Sequence, residues 1–337
     1  SRGLGDVYKR QILGGVYLMV KKFLFKCLII ICIILTFIIK MAPYVVDPGH
    51  TEQLYQGLYN KDSSYDVLFM GSSHMNGMMD PSVLYNKYGI TSFNYATGGQ
   101  PVNVTYYLLK EALKTQSPKI VVLDLYYFGL TDEYGDEGYI RYVLDNLKFS
   151  KNKLEAINNC VPKNQRLEYL FPYIKYHDRW STLTESDFAT DIKLDPSITG
   201  YGAGDNLYGE PLVEYQHGSE TGELPTESEK YLNKFIELSK EKGFKLIFTN
   251  APYDYSANNT DSWYKDDSVL YNTISLIADK NNIPFLNYST EELMSEINFD
   301  FPNDMNNVGH TNIYGAEKVS SNFADFLHNN YQLEDHR

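Results

Sequence analysis

Residues 67–77 read VLFMGSSHMNG. Four apolar residues, Val67 to Met70, run straight into Gly71, Ser72, Ser73 and His74. The run has the length and composition of a buried strand. A glycine permits a sharp turn, and a small polar residue after it suits a helix N-terminus. A plain strand–turn–cap junction therefore explains the stretch by itself. A second reading is a nucleophilic serine presented at the C-terminal end of a parallel strand, where open α/β sheets place their sites.

The flanking sequence supplies the sheet. SYDVLFMG reads as a first strand, and DPSVLYNKYG as a helix with Asp80 as cap, Pro81 at the first position and Gly89 as stop. ITSFNYA is a second strand. TGGQPVNVTYYLLKEALKTQ opens on glycines and becomes a helix with Val104, Tyr107, Leu108, Ala112 and Leu113 on one face. PKIVVLDLYYFG is a third, strongly apolar strand. The alternation breaks over residues 130–222, which are rich in Tyr, Asp, Asn and Gly and read as an insertion of helices and long loops, a cap over the site. It resumes with TESEKYLNKFIELSKEKG (Thr226 as cap, Gly243 as stop), the strand FKLIFTNAPY, the helix SVLYNTISLIADKNN, the strand IPFLNYS and a last helix, GAEKVSSNFADFLHNNY. Strands alternating with helices predict an α/β fold with a parallel sheet covered on both faces.

Composition narrows the function. The chain has 337 residues and a formal net charge of −13. The first 40 residues hold seven Lys or Arg and one acid, so the remainder carries 23 basic and 42 acidic residues, a net of −19. A body that acidic is a poor partner for nucleic acid. Of the three cysteines, Cys27 and Cys32 lie in the apolar N-terminal segment and only Cys160 in the body, which excludes a disulfide framework there and a CxxC metal site. The 30 tyrosines fit either a sugar-lined cleft or the codon bias of an AT-rich genome.

At the N-terminus, DVYKRQ reads like a translated sequencing-library transposon end, so residues 1 to about 11 read as an artefact, Met19 as the start, and residues 1–18 as a non-native or disordered leader. Residues 19–46 follow with Lys21 and Lys22 and then an apolar run from Phe23 to Ile39, long enough with its flanks to span a bilayer. No small-residue cleavage site follows cleanly, and neither cysteine sits at the end of the run. The segment reads as an uncleaved signal-anchor, with a cleaved signal peptide as the alternative. Its basic flank stays inside the cell, and residues 48–337 face outside.

Near the C-terminus, FPNDMNNVGHTNIYGAEKVS places His310 in a loop that feeds the last helix. A nucleophile after the first strand needs a general base from another part of the chain, and a loop at the same sheet edge can deliver one. Gly71-Ser72-Ser73 after strand one, Asn94 and Gly99 after strand two, and His310 before the final helix together resemble the SGNH (GDSL-like) hydrolases. The resemblance spans the α/β parts of residues 65–325 and excludes the insertion. It implies a three-layer α/β/α fold with a mainly parallel, flavodoxin-like sheet. It also implies Ser73 as nucleophile, His310 as base, and the Ser73 and Gly99 amides as oxyanion donors. No metal or cofactor is expected.

Two positions depart from the family. LDLYYFG has no asparagine at the end of strand three, so one oxyanion donor is missing or supplied from another place. The acid position three residues before His310 is Asn307, with Asp304 and Asp300 nearby as substitutes. An asparagine can accept a hydrogen bond from the ring, but it carries no charge, and its NH₂ group could fix the wrong tautomer.

Anchored SGNH-like proteins of alginate O-acetylation and teichoic-acid D-alanylation show similar departures and work beside a multi-pass membrane-bound O-acyltransferase. The resemblance therefore implies an extracytoplasmic O-acyltransferase of a cell-surface glycan or teichoic-acid-like polymer. A surface esterase or deacetylase and a non-catalytic envelope scaffold are the alternatives. In YHDRW, His177, Arg179 and Trp180 fit either a cleft wall or ordinary packing.

Overall fold

A computed structural model describes residues 2–46, 54, 57–59, 64–131, 134–188, 199–213, 218–255, 263–264 and 266–337. The chain forms two units, one of Ser1–Asp47 with Phe171–Phe188, the other of Pro48–Leu170 with Ala189–Arg337.

The larger unit is built on five strands: β1 (Val67–Met70), β2 (Ser92–Asn94), β3 (Ile120–Asp124), β4 (Lys245–Asn250) and β5 (Phe285–Asn287). They pair in the order β2-β1-β3-β4-β5, and every pairing is parallel. Alternate residues leave opposite faces of the sheet. Leu68, Met70, Val121, Leu123 and Phe248 enter one apolar layer, and Val67, Phe69, Ile120, Val122 and Ile247 enter the other. Both faces are covered, which is why these strands read as unbroken apolar runs.

The covering helices are α2 (Ser73–Met78), α3 (Pro81–Tyr88), α4 (Val102–Ala112), α5 (Glu137–Leu144), α6 (Lys151–Cys160), α7 (Arg166–Leu170), α8 (Thr226–Lys242), α9 (Asp267–Asn281), α10 (Glu291–Glu296), α11 (Phe301–Asp304) and α12 (Ile313–Asn330). Asp80 caps α3 through Ser82 N–H, and Gly89 ends it in the left-handed conformation. At α8 the expected cap moves by one residue: Pro225 holds the cap position, with no side-chain bond, and Thr226 is already helical. Between α11 and α12 lies a short antiparallel hairpin, β6 (Met305–Asn307) and β7 (His310–Thr311).

The insertion is less separate than the sequence suggests. Ile140, Val143, Leu144, Ala156, Ile157, Cys160 and Tyr169 are buried in the same core layer as α4 and α8. Residues 137–170 therefore extend the larger unit itself.

In the smaller unit, α1 runs over Arg2–Val45. Residues 2–18, set aside above as a leader, continue the same helix. Leu13–Ala42 is long and apolar enough to cross a membrane, and its side chains are exposed.

Candidate active site

The opening stretch forms the strand–turn–cap junction, and its two serines take different places in it. Gly71 ends β1 where no side chain fits, because a Cβ there would run into the Asp124 side chain. Asp124, the last residue of β3, accepts from Ser72 N–H at 3.2 Å and from Ser72 Oγ–H at 2.8 Å, and its other oxygen accepts from Tyr126 N–H at 3.1 Å. Burial pushes this carboxyl above its usual range, and the three donors oppose that shift. Ser72 Oγ also accepts from His74 N–H at 3.4 Å and so caps α2. Ser72 is the structural cap, and Ser73 opens the helix. Asn94 clamps the other end: its Nδ2 donates to Met75 O at 2.9 Å and Met79 O at 3.0 Å.

The Ser73 hydroxyl lies 2.8 Å from His310 Nε2, although the residues are 237 positions apart in sequence. His310 begins β7 and pairs across the hairpin with Asn307 of β6. Asn307 Oδ1 is 3.0 Å from His310 Nδ1. It also accepts from Gly309 N–H at 3.0 Å and His310 N–H at 3.1 Å. Two backbone donors fix which end of the amide faces the ring, because an NH₂ group cannot accept from them. Nδ1 must then carry the ring proton, which leaves the Nε2 lone pair for Ser73 Oγ–H. This is the tautomer that a general base needs. Burial pushes the His310 pKa below its usual value, which keeps the ring neutral near pH 7.

Asp304, the other candidate for the acid position, is placed elsewhere. Its carboxylate accepts from Lys318 Nζ at 2.6 Å and Asp300 N–H at 2.6 Å. It ties α11 to α12 and leaves the ring to Asn307.

The sequence reading passed over His74. Its ring stacks on His310 with centroids 4.5 Å apart, and its other face meets Tyr126 at 3.7 Å. Tyr126 in turn stacks on Trp263 at 4.5 Å. His74 Nδ1 is 2.5 Å from Gly309 O, and a carbonyl can only accept, so Nδ1 holds the proton. Burial, helped by the neighbouring His310, pushes the His74 pKa down to about 3. This neutral ring lies against His310 and holds its loop through Gly309. A histidine directly after the candidate serine was the only available signal, and nothing local to it indicates the stack.

Gly99 adopts the left-handed conformation with φ +57°, and a Cβ there would collide with the Tyr139 ring. Tyr139 comes from α5, so the insertion lays an aromatic ring on the proposed oxyanion glycine. At the end of β3, where the motif resemblance implied a donor, Asp124 is occupied with the Ser72 turn.

His177, Arg179 and Trp180 fall in the smaller unit, which holds neither Ser73 nor His310. Trp180 stacks on Tyr173 at 5.5 Å, and Arg179 pairs with Asp187.

The sheet order, the serine after β1, the glycine after β2 and the histidine before the last helix lie where the motif resemblance led one to expect them. No protein-family model matches the sequence, and no curated protein matches it. Among solved structures, the chain is similar to an acylhydrolase candidate from Bacteroides fragilis NCTC 9343, with 13% identity over 78% of this chain and 86% of that one and a TM-score of 0.38. It is also similar to a gut microbial diltiazem-metabolizing enzyme, with 14% identity, 77% of this chain and 47% of that one covered, and a TM-score of 0.38.

Proposed function

We propose that this chain is a membrane-anchored, extracytoplasmic serine O-acyltransferase that acylates a cell-surface glycan or teichoic-acid-like polymer. Ser73 is the nucleophile, His310 the general base, and Asn307 the residue that sets the ring tautomer. In the first half-reaction His310 Nε2 takes the Ser73 proton as Oγ bonds to the acyl carbonyl carbon. The Ser73 and Gly99 amides stabilise the oxyanion. The imidazolium then returns the proton to the leaving group, and an acyl-Ser73 ester remains. In the second half, His310 deprotonates an acceptor hydroxyl as it attacks the acyl carbonyl, and the imidazolium returns that proton to Ser73 Oγ as the C–Oγ bond breaks. The acyl donor is supplied across the membrane by a multi-pass O-acyltransferase, and α1 holds the chain beside it.

One observation carries this reading: the 2.8 Å Ser73 Oγ–His310 Nε2 contact, with Nδ1 held by an amide oxygen that two backbone N–H groups orient. The test is labelling with a serine-reactive phosphonate, located by mass spectrometry. Turnover of an activated acetyl ester with and without an oligosaccharide acceptor follows. Phosphonate on Ser73 and acetyl on the oligosaccharide are expected. Label on Ser73 with acetate as the sole product would make the chain an esterase. No label would leave a non-catalytic scaffold and end the reading.

A further inference from the structure

We propose that residues 171–188 form a collar seated in the lipid headgroup layer, around the point where α1 leaves the bilayer. The proposal rests on reading α1 as a membrane span.

The first argument is depth. The run Phe23–Ile39, apolar apart from Lys26 near its inner end, which can snorkel, lies between Lys22 and Lys40. At ~1.5 Å per residue it is about 26 Å long, close to the ~30 Å hydrocarbon core of a bilayer. Tyr173 Oη–H donates to the Ile38 carbonyl at 2.7 Å. In a helix that carbonyl already serves the amide four residues on, so the phenol takes its second lone pair. One contact of the segment is thus fixed at the last residues of the apolar run. Its second contact is Phe188 stacked on Tyr44, with centroids 5.3 Å apart. Tyr44 lies six residues beyond Ile38, or about 9 Å along the axis. The segment therefore touches α1 at both margins of a layer about as thick as the headgroup zone in which interfacial elements lie.

The second argument is surface chemistry. Ile174 is 52% exposed, Trp180 47% and Phe188 45%. In water these side chains are a cost, whereas at the headgroup level Trp and Tyr are the preferred residues. Trp180 is also fixed in place, because it stacks on Tyr173 with their planes 12° apart. The third argument is charge. The segment holds Lys175 and Arg179 against Asp178, Glu185 and Asp187, a net of −1. Attraction to anionic lipid is therefore not what seats it, and apolar and aromatic burial must do so.

The experiment uses the full chain in vesicles of phosphatidylcholine and phosphatidylglycerol. Trp263→Phe leaves Trp180 as the sole tryptophan, and Cys27→Ala allows a bimane label on Cys32 to report on α1. Acyl chains brominated near the headgroup or near the methyl end act as quenchers. Trp180 should lose more emission to bromine near the headgroup than to bromine near the methyl end, and varying the phosphatidylglycerol fraction should not change this. Bimane should be quenched as well. If bimane is quenched while Trp180 stays bright and open to iodide, the anchor stands and the collar is refuted. If Trp180 is closed to both iodide and bromine, protein covers it and the collar is refuted. If bimane escapes quenching, α1 is not in the bilayer and both readings fall. Should Trp263→Phe fail to fold, fluorotryptophan resonances of the native chain, assigned with Trp180→Phe, read the same contact.

Discussion

The imidazole rings of His74 and His310 lie face to face, with centroids 4.5 Å apart and planes 16° from parallel. Two cations at that distance in a buried site repel each other strongly. The pair is stable only while at least one ring is neutral, and burial lowers both pKa values. His74 supplies the rigid neutral partner. Its Nδ1–H is committed to Gly309 O, so a buried residue holds the loop that carries the base.

This arrangement predicts a specific acid sensitivity. Unfolded, His74 accepts a proton near pH 6.5, while in the folded state it resists protonation down to about 3. Its contribution to stability is complete above about pH 6.5 and is lost as the pH falls from there toward 3, amounting to roughly 5 kcal/mol over the whole window. His74→Phe keeps a flat ring against Tyr126 and His310 but cannot titrate. Its stability at pH 7 should be lower by about 1 kcal/mol for the lost hydrogen bond, and its Tm should fall less steeply below pH 6. Parallel Tm–pH curves for the two proteins would contradict the buried neutral assignment.

The rate of Ser73 phosphonylation should track deprotonated His310. Burial lowers that pKa, so the rate should rise with pH to a plateau through a midpoint below 6.5. His310→Ala should reduce it by about 10³-fold or more, the usual cost of losing a triad base. A rate independent of pH and of residue 310 would mean that another group activates the serine.

Asn307→Asp places a carboxylate where the imidazolium forms. Acylation should accelerate about tenfold, equivalent to ~1.4 kcal/mol of added stabilisation, and the pH midpoint should move up. Asp304→Asn should leave the acylation rate unchanged and lower stability by about 1–3 kcal/mol, because Lys318 and the Asp300 amide lose a charged acceptor. Stopped-flow acylation and urea unfolding of the two variants check both expectations. A rate loss in Asp304→Asn would reassign the acid position.

Gly99 and Tyr139 form a testable steric pair. Gly99→Ala meets the Tyr139 ring and must also hold a left-handed backbone. Acylation should fall by tenfold or more, taking strain and displacement together as at least ~1.4 kcal/mol. Adding Tyr139→Ala removes the collision but leaves the backbone strain of about 1 kcal/mol, so the double variant should recover part of the rate. Purely additive losses in the cycle would show that the ring does not press on the glycine.

Local sequence alone determined the strands and most helix ends, and the motif resemblance put forward the pairing of Ser73 with His310. Unbroken apolar runs require strands covered on both faces, and Asp80, Pro81, Gly89 and Gly243 punctuate helices through their own backbone preferences. The order of Gly71-Ser72-Ser73, Gly99 and His310 along the chain already pointed to one sheet edge. Only the tertiary structure decided between Asn307 and Asp304. The β6–β7 hairpin sets Asn307 opposite His310, whereas α11 turns Asp304 toward Lys318. Spacing in sequence could not resolve this, because both lie within a few residues of the histidine. The His74–Gly309 bond spans 235 positions, and Asp124 reaches the Ser72 turn across 52. Such contacts leave no periodic signal, because they exist only once the parallel strands have aligned their C-terminal ends. The collar at 171–188 is of the same kind: its tyrosine, tryptophan and phenylalanine read as ordinary insertion residues until Tyr173 is seen on the Ile38 carbonyl.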